Sequence, residues 1–200
     1  MRITAGKFKG RALTAPKDLS IRPTSDKVRQ AVFNILAHRD FGFAFSLQDA
    51  RVVDLFAGTG ALALEALSRG ARYALFIDEA AQSRALIREN VEALGLTGVT
   101  KIWRRDAASL GPLDTLGPFD LAFLDPPYRK NLLAPALAGL RDGGWLKAPA
   151  LVIAEMAQEE NIPSTDGYEL LDDRVHGETR VAILKLSPPP PQSTTVPKTV

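Results

Sequence analysis

From Arg51 onward the apolar residues of this chain alternate between two periods, and that alternation constrains the fold more than any other feature. Short apolar runs at Arg51–Phe56, Tyr73–Asp78, Val99–Arg104, Leu121–Leu124 and Leu151–Glu155 have the length and content of buried strands. Between them, Ala61–Arg69, Ala80–Leu94 and Asn131–Arg141 have helical spacing, and a short helix is expected near Ala107–Leu110. Strands alternating with helices give a parallel sheet covered on both faces. Tyr168–Val175 and Thr179–Leu186 flank His176-Gly177-Glu178 and read as an antiparallel hairpin closing one sheet edge.

In a sheet of this kind, ligands bind outside the carboxyl ends of the strands. Four consecutive runs place Asp54, Asp78, Asp106 and Asp125 along that edge. One acid at a strand end is commonly just solvated. Four in order, with glycines at the first, indicate a site.

The fourth run ends in Asp125-Pro126-Pro127-Tyr128. Two successive prolines cannot donate backbone hydrogen bonds, so the strand stops, and they bias Asp125 towards an extended backbone. The bland reading is a proline turn before a helix. The chemical reading is a stiff corner suited to an exocyclic amine on a planar base. The Asp125 carboxylate and Pro126 carbonyl can accept from an NH2 group, and Tyr128 can stack on the ring, which is worth roughly 1–3 kcal/mol per base.

After the first run, Phe56-Ala57-Gly58-Thr59-Gly60-Ala61 is a glycine turn opening a helix. Gly58 and Gly60 admit a ligand close to the backbone. The pattern is akin to the dinucleotide fingerprint, with Ala63 where a third glycine often stands. Asp78, with Glu79 beside it, sits where a ribose would be held. Asp106 and Ala107 sit where an adenine would be met. An edge so rich in carboxylates repels a pyrophosphate and suits a sulfonium and an ammonium, which favours S-adenosylmethionine over NAD.

The N-terminal segment has a different character. Residues 1–30 carry eight basic and two acidic residues, net +6, which leaves −4 for the rest of a chain whose net charge is +2. A basic arm on a mildly acidic body is the pattern of a chain whose one end meets nucleic acid. Arg2–Ala5 and Arg11–Thr14 flank Gly6-Lys7-Phe8-Lys9-Gly10 as a small hairpin. Lys7, Lys9, Arg11 and Arg22 suit phosphates; Phe8 suits either a base or the body of the protein. A helix is expected over Ser25–His38, capped by Thr24 or Ser25, with Arg29 and Phe33 four apart on one face.

With no cysteine and only His38 and His176, no metal site is expected. No signal peptide or membrane span is legible, so a cytoplasmic protein is expected. Residues 187–200 hold proline, serine and threonine without core material and read as a disordered tail. Three organisations are considered: an RNA-modifying enzyme, a DNA adenine-N6 methyltransferase using the same corner, and a nucleic-acid-binding module with a vestigial cofactor fold. The second commonly needs a recognition domain for which this chain has little spare length.

The pairing of Asp54-Leu55-Phe56-Ala57-Gly58-Thr59-Gly60 with Leu124-Asp125-Pro126-Pro127-Tyr128 resembles class I S-adenosylmethionine-dependent methyltransferases acting on exocyclic amines. Arg2 to Arg11, Arg22-Pro23-Thr24-Ser25-Asp26-Lys27-Val28-Arg29, and Glu65-Ala66-Leu67-Ser68-Arg69-Gly70 bring the resemblance to the RsmD-type 16S ribosomal RNA guanine-N2 methyltransferases, over about residues 1–186. The resemblance implies an α/β, Rossmann-like sheet, mostly parallel, in a methyltransferase domain over 41–186, with a basic hairpin-and-helix extension over 1–40 packed on it and facing RNA. It implies S-adenosylmethionine held by Asp54, Ala57, Gly58, Gly60, Asp78, Glu79, Asp106 and Ala107, with Arg29 and Phe33 closing over it. Asp125, Pro126, Pro127 and Tyr128 would hold the guanine. The partner implied is 16S ribosomal RNA, within a small-subunit assembly particle, and the enzyme is expected to be a monomer.

Overall fold

The computed structural model describes residues 1–16, 26–113 and 115–187. The expected cap at Thr24 or Ser25, Arg22 and the tail beyond Ser187 lie outside the described residues. The elements are α1 (Asp26–His38), β1 (Arg51–Leu55), α2 (Ala61–Ser68), β2 (Tyr73–Ile77), α3 (Ala81–Ala93), β3 (Thr100–Trp103), β4 (Phe119–Leu124), α4 (Leu133–Asp142), β5 (Leu146–Ala157), β6 (Tyr168–His176) and β7 (Thr179–Leu186). They form one seven-stranded sheet in the order β3-β2-β1-β4-β5-β7-β6. β1 to β5 are parallel; β7 runs antiparallel to β5 and to β6.

Side chains alternate across the sheet, so each strand feeds two cores. Val52, Phe76, Leu121, Phe123, Leu151 and Ile153 enter the core beneath α1, α2 and α3. Val53, Leu55, Leu75, Ala122, Leu124 and Val152 enter the other, beneath α4. That double coverage is why the central runs are continuously apolar in sequence.

The central pairing sets the site. Leu55 of β1 pairs with Leu124 of β4, so both strands end at the same level. The glycine turn and the proline corner therefore emerge side by side, although about 65 residues separate them in sequence.

Every residue of α2 is buried, although it holds Glu65 and Ser68. The reason is the N-terminal arm, which lies over it. The Glu65 carboxylate, 0% exposed, accepts hydrogen bonds from Thr4 N at 2.8 Å, Thr4 Oγ1 at 2.7 Å, Ala5 N at 3.0 Å and Arg69 Nε at 2.8 Å. Ser68 accepts from Lys7 N through its carbonyl and from Phe8 N through its hydroxyl. Gly6 makes this approach possible: its φ is +79°, and a Cβ there would fall 1.9 Å from the Ser68 carbonyl oxygen.

The N-terminal hairpin is short: Arg2 bridges Ala12 in antiparallel fashion, with Ile3 N to Arg11, Gly10 N to Ile3 and Leu13 N to Met1 as the backbone bonds between its arms. The Thr4 and Ala5 amides turn to Glu65 and those of Lys7 and Phe8 to Ser68, while Thr14 N goes to Asn90 of α3. One sequence expectation is corrected. No helix forms at Ala107–Leu110. Asp106 instead closes a tight turn, accepting from Ala108 N on Oδ1 and from Ser109 N on its carbonyl, and Gly111 and Pro112 follow. β5 also begins five residues earlier than its apolar run, at the buried Leu146, because the exposed Lys147 to Pro149 interrupt the apolar signal.

Replacing Glu65 by alanine strands the Arg29 guanidinium, whose Nε lies 3.6 Å from Glu65 with both side chains 0% exposed. The expected loss is about 3–5 kcal/mol in urea unfolding. Glu65→Gln, which keeps an acceptor, is expected to lose less.

Candidate active site

The turn after β1 is held in left-handed backbone at Phe56, Gly58 and Gly60, with φ of 60°, 56° and 77°. A non-glycine residue there carries strain, which is concentrated at ligand-binding turns. Of the four non-glycine residues with positive φ among the described residues, Phe56 lies on this turn and Arg129 and Asn131 follow the proline corner. Both loops that face the carboxyl edge are thus built on unusual backbone.

Asp54 is 2% exposed, and its Oδ2 accepts from Ala63 N at 3.2 Å. Burial holds its pKa well above the usual carboxylate value; the Ala63 amide opposes this, and the charges of Asp125 and Asp78 add to it. Asp78 bridges two segments, accepting from Gly58 N at 2.9 Å and Ala80 N at 2.8 Å. Ala57 and Ala107 are buried, while Glu79 and Asp106 are exposed at the same edge.

The corner after β4 is braced from two sides. Tyr128 Oη lies 3.1 Å from Thr179 Oγ1, at the start of β7. Glu160 accepts from Arg129 N and from Ala157 N, both at 2.9 Å, tying the corner to the end of β5. Asp125 and Tyr128 are half-buried, Pro126 buried and Pro127 exposed. An open cleft of about 430 Å³ lies against Pro126, Pro127 and Tyr128, lined also by Asn131, Met156 and Glu160 among others, with Asp125 outside its lining.

Arg29 and Phe33 share a face, as their spacing requires, and it is the buried one. Phe33 is 0% exposed, with its ring 5.7 Å from Phe123 and the Arg69 guanidinium 4.8 Å from it. A ring with no exposed surface is core packing and has no face to offer a ligand in this structure. Arg29 Nη2 donates to the Arg2 carbonyl and to Asp26. On the arm, Lys7, Lys9 and Arg11 are exposed, whereas Phe8 is partly buried against the core with the Lys7 ammonium 5.4 Å from its ring.

Sequence reading missed two buried acids, Glu65 and Glu155. The available signal was a lone acid inside an otherwise apolar run, in Ala61–Ser68 and again in Leu151–Ala157. Among the described residues no group of three or more His, Asp or Glu side chains is placed to hold a metal.

The donor set can be tested against the cofactor types. The first turn of α2 would ordinarily attract a phosphate. Here an acid occupies it, since Asp54 takes the Ala63 amide. That amide is therefore not open to a pyrophosphate, and the carboxyls along this edge suit S-adenosylmethionine, whose groups include a sulfonium and an ammonium. The residues fit that cofactor.

This strand order, with an antiparallel β7, a glycine turn after β1 and a proline corner after β4, defines a class I methyltransferase. A family model described as Conserved hypothetical protein 95 matches residues 1–185. The chain belongs to that family, the RsmD family. Ribosomal RNA small subunit methyltransferase D of Escherichia coli K12 is 37% identical over 181 residues, covering 89% of this chain and 86% of the relative. The protein of the same name from Haemophilus influenzae is 29% identical over 183 residues, covering 88% and 89%. Among solved structures, yhhF from Escherichia coli, a methyltransferase by name, superposes with a TM-score of 0.79 at 31% identity, covering 94% of this chain and 98% of that one.

A raised native pKa means that folded Asp54 binds its proton more tightly than the unfolded chain does. Its contribution to stability is complete below the ordinary carboxylate pKa and is lost as pH rises through the native value. Asp54→Asn carries no such loss. Its stability relative to wild type is expected to improve steadily from acidic to neutral pH, read by chemical denaturation across a pH series.

Proposed function

We propose that this chain transfers a methyl group from S-adenosylmethionine to the exocyclic N2 of a guanine in 16S ribosomal RNA, acting on a small-subunit assembly particle in the cytoplasm. The observation that carries this reading is the Asp125-Pro126-Pro127-Tyr128 corner, fixed level with the glycine turn by the pairing of Leu55 with Leu124. The naming of relatives as small-subunit ribosomal RNA methyltransferases supports the class of substrate.

The cofactor supplies an activated methyl on a sulfonium. The protein supplies position. Guanine N2 is a weak nucleophile because its lone pair is delocalised into the ring. Donation of its two protons to the Asp125 carboxylate and the Pro126 carbonyl would turn that lone pair out of conjugation and towards the methyl. Positioning of this kind accounts for up to about 7–11 kcal/mol of barrier in favourable cases. As the N–C bond forms, positive charge grows on the amine, and Asp125 stabilises it and takes the proton that leaves. Tyr128, pinned by Thr179, would stack on the base in the cleft.

A base can enter only if it is unstacked, so the target is a loop or a flipped nucleotide. The exposed Lys7, Lys9 and Arg11 on the arm suit the flanking phosphates. The cofactor roles of Asp54, Ala57, Gly58, Gly60, Asp78, Glu79, Asp106 and Ala107 belong to the same proposal. The buried acid on the first turn of α2 favours it over a dinucleotide.

The test is transfer of labelled methyl to small-subunit particles lacking this modification, followed by nucleoside analysis. N2-methylguanosine in 16S RNA is the expected product; label in N6-methyladenosine would reassign the target atom. Asp125→Ala is expected to lose at least about a thousandfold in kcat, through lost positioning and charge stabilisation. Its affinity for the cofactor, by calorimetry, should change little.

A further inference from the structure

Glu155 is the acid within β5, two residues before its carboxyl end, and the mechanism above leaves it unused. Ala154 pairs with Leu124, so Glu155 and Asp125 are each one residue beyond a paired position on neighbouring strands. Leu151 and Ile153 enter the core beneath α1, and the period of two carries Glu155 to that same face. Its side chain is 1% exposed, and its Oε1 makes no hydrogen bond.

The charges around it are few. Asp125 of β4 and Asp54 of β1 bear on it as negative neighbours, and Arg29 of α1 as the positive one. β7 presents Val181 opposite. The Arg29 charge is already engaged by Asp26 at 2.9 Å and by Glu65 at 3.6 Å. An ionised Glu155 would therefore be a buried carboxylate beside two other acids, facing one cation, Arg29, that Asp26 and Glu65 already share.

We propose that Glu155 is a positioning residue for methyl transfer: it is held as the neutral acid of an Asp125–Glu155 pair that shares one proton, so that Asp125 remains the ionised acceptor. Two adjacent acids do not ionise together, and the proton rests on the more deeply buried member. Glu155 is fully buried and Asp125 half-buried, which assigns the proton to Glu155. Were the assignment reversed, Asp125 would present an O–H to the amine and could not accept from it. Burial, followed by the charges of Asp125 and Asp54, acts in the same direction on Glu155. The role rests on the reading of Asp125 given above.

The experiment has two parts. In the unliganded protein with carbon-13-labelled glutamate, the Glu155 carboxyl signal is identified by its loss in Glu155→Gln and followed with pH. It is expected to remain protonated at neutral pH and to titrate above it. Titration in the ordinary glutamate range overturns the proposal. In methyl transfer, Glu155→Ala is expected to lower kcat about a hundredfold, the scale of an ångström's misplacement, with little change in KM for the cofactor. Glu155→Gln, neutral and of the same shape, should recover most of that loss, and the alkaline fall in rate seen with wild type should disappear. Equal impairment of the two variants overturns the proposal, because it means that the ionised form is needed. If wild type makes no N2-methylguanosine, the substrate reading fails while the titration still decides the state of Glu155.

Discussion

The structure depends first on the parallel pairing of β1 with β4 at the centre of the sheet. Strands adjacent in space here come from opposite halves of the alternating region. Their register leaves no freedom: shifting either strand by one residue would turn Val52 and Val53, or Leu121 and Ala122, onto the wrong core. Because both faces are packed, hydrophobic burial fixes which residue of each strand comes last. The levels of the glycine turn and the proline corner, and hence the relation of Asp54 to Asp125, follow from that.

A second, more local constraint is the buried carboxylate of Glu65. A charge inside an apolar helix is expensive unless it is paired and hydrogen-bonded. Glu65 meets this condition by drawing in the backbone of Thr4 and Ala5 and the guanidinium of Arg69, with Arg29 behind it. The demand of one acid thereby attaches the basic arm and α1 to the methyltransferase sheet. The arm's exposed cations are consequently carried on α2.

Acidic groups at the carboxyl edge divide into two kinds by burial. Asp78 and Asp106 reach solvent while they hold turns together. Asp54 and Glu155 are withdrawn from water and pushed towards the neutral form, with Asp125 between them on the adjacent strand. An edge that looks uniformly acidic in sequence is therefore divided by burial.

The alternation of periods, the glycine turn, the two prolines and the strand-end acids were legible in the sequence, and with them the order of elements and the identity of the carboxyl edge. They could be read because each is a local rule: side-chain period, missing amide donors and permitted φ are properties of a few consecutive residues. The helix over Ala107–Leu110 was misread for the complementary reason. Asp106 found partners in a tight turn that a helix would have left unused. Nothing in the spacing of Arg29 and Phe33 shows whether their common face meets a ligand or the core, and only the docking of α1 under the arm decided it. The protonation of Glu155 belongs to the same class. It depends on which groups three strands and a helix bring around one carboxyl, and burial and charge are sums over neighbours in space that a linear sequence does not contain.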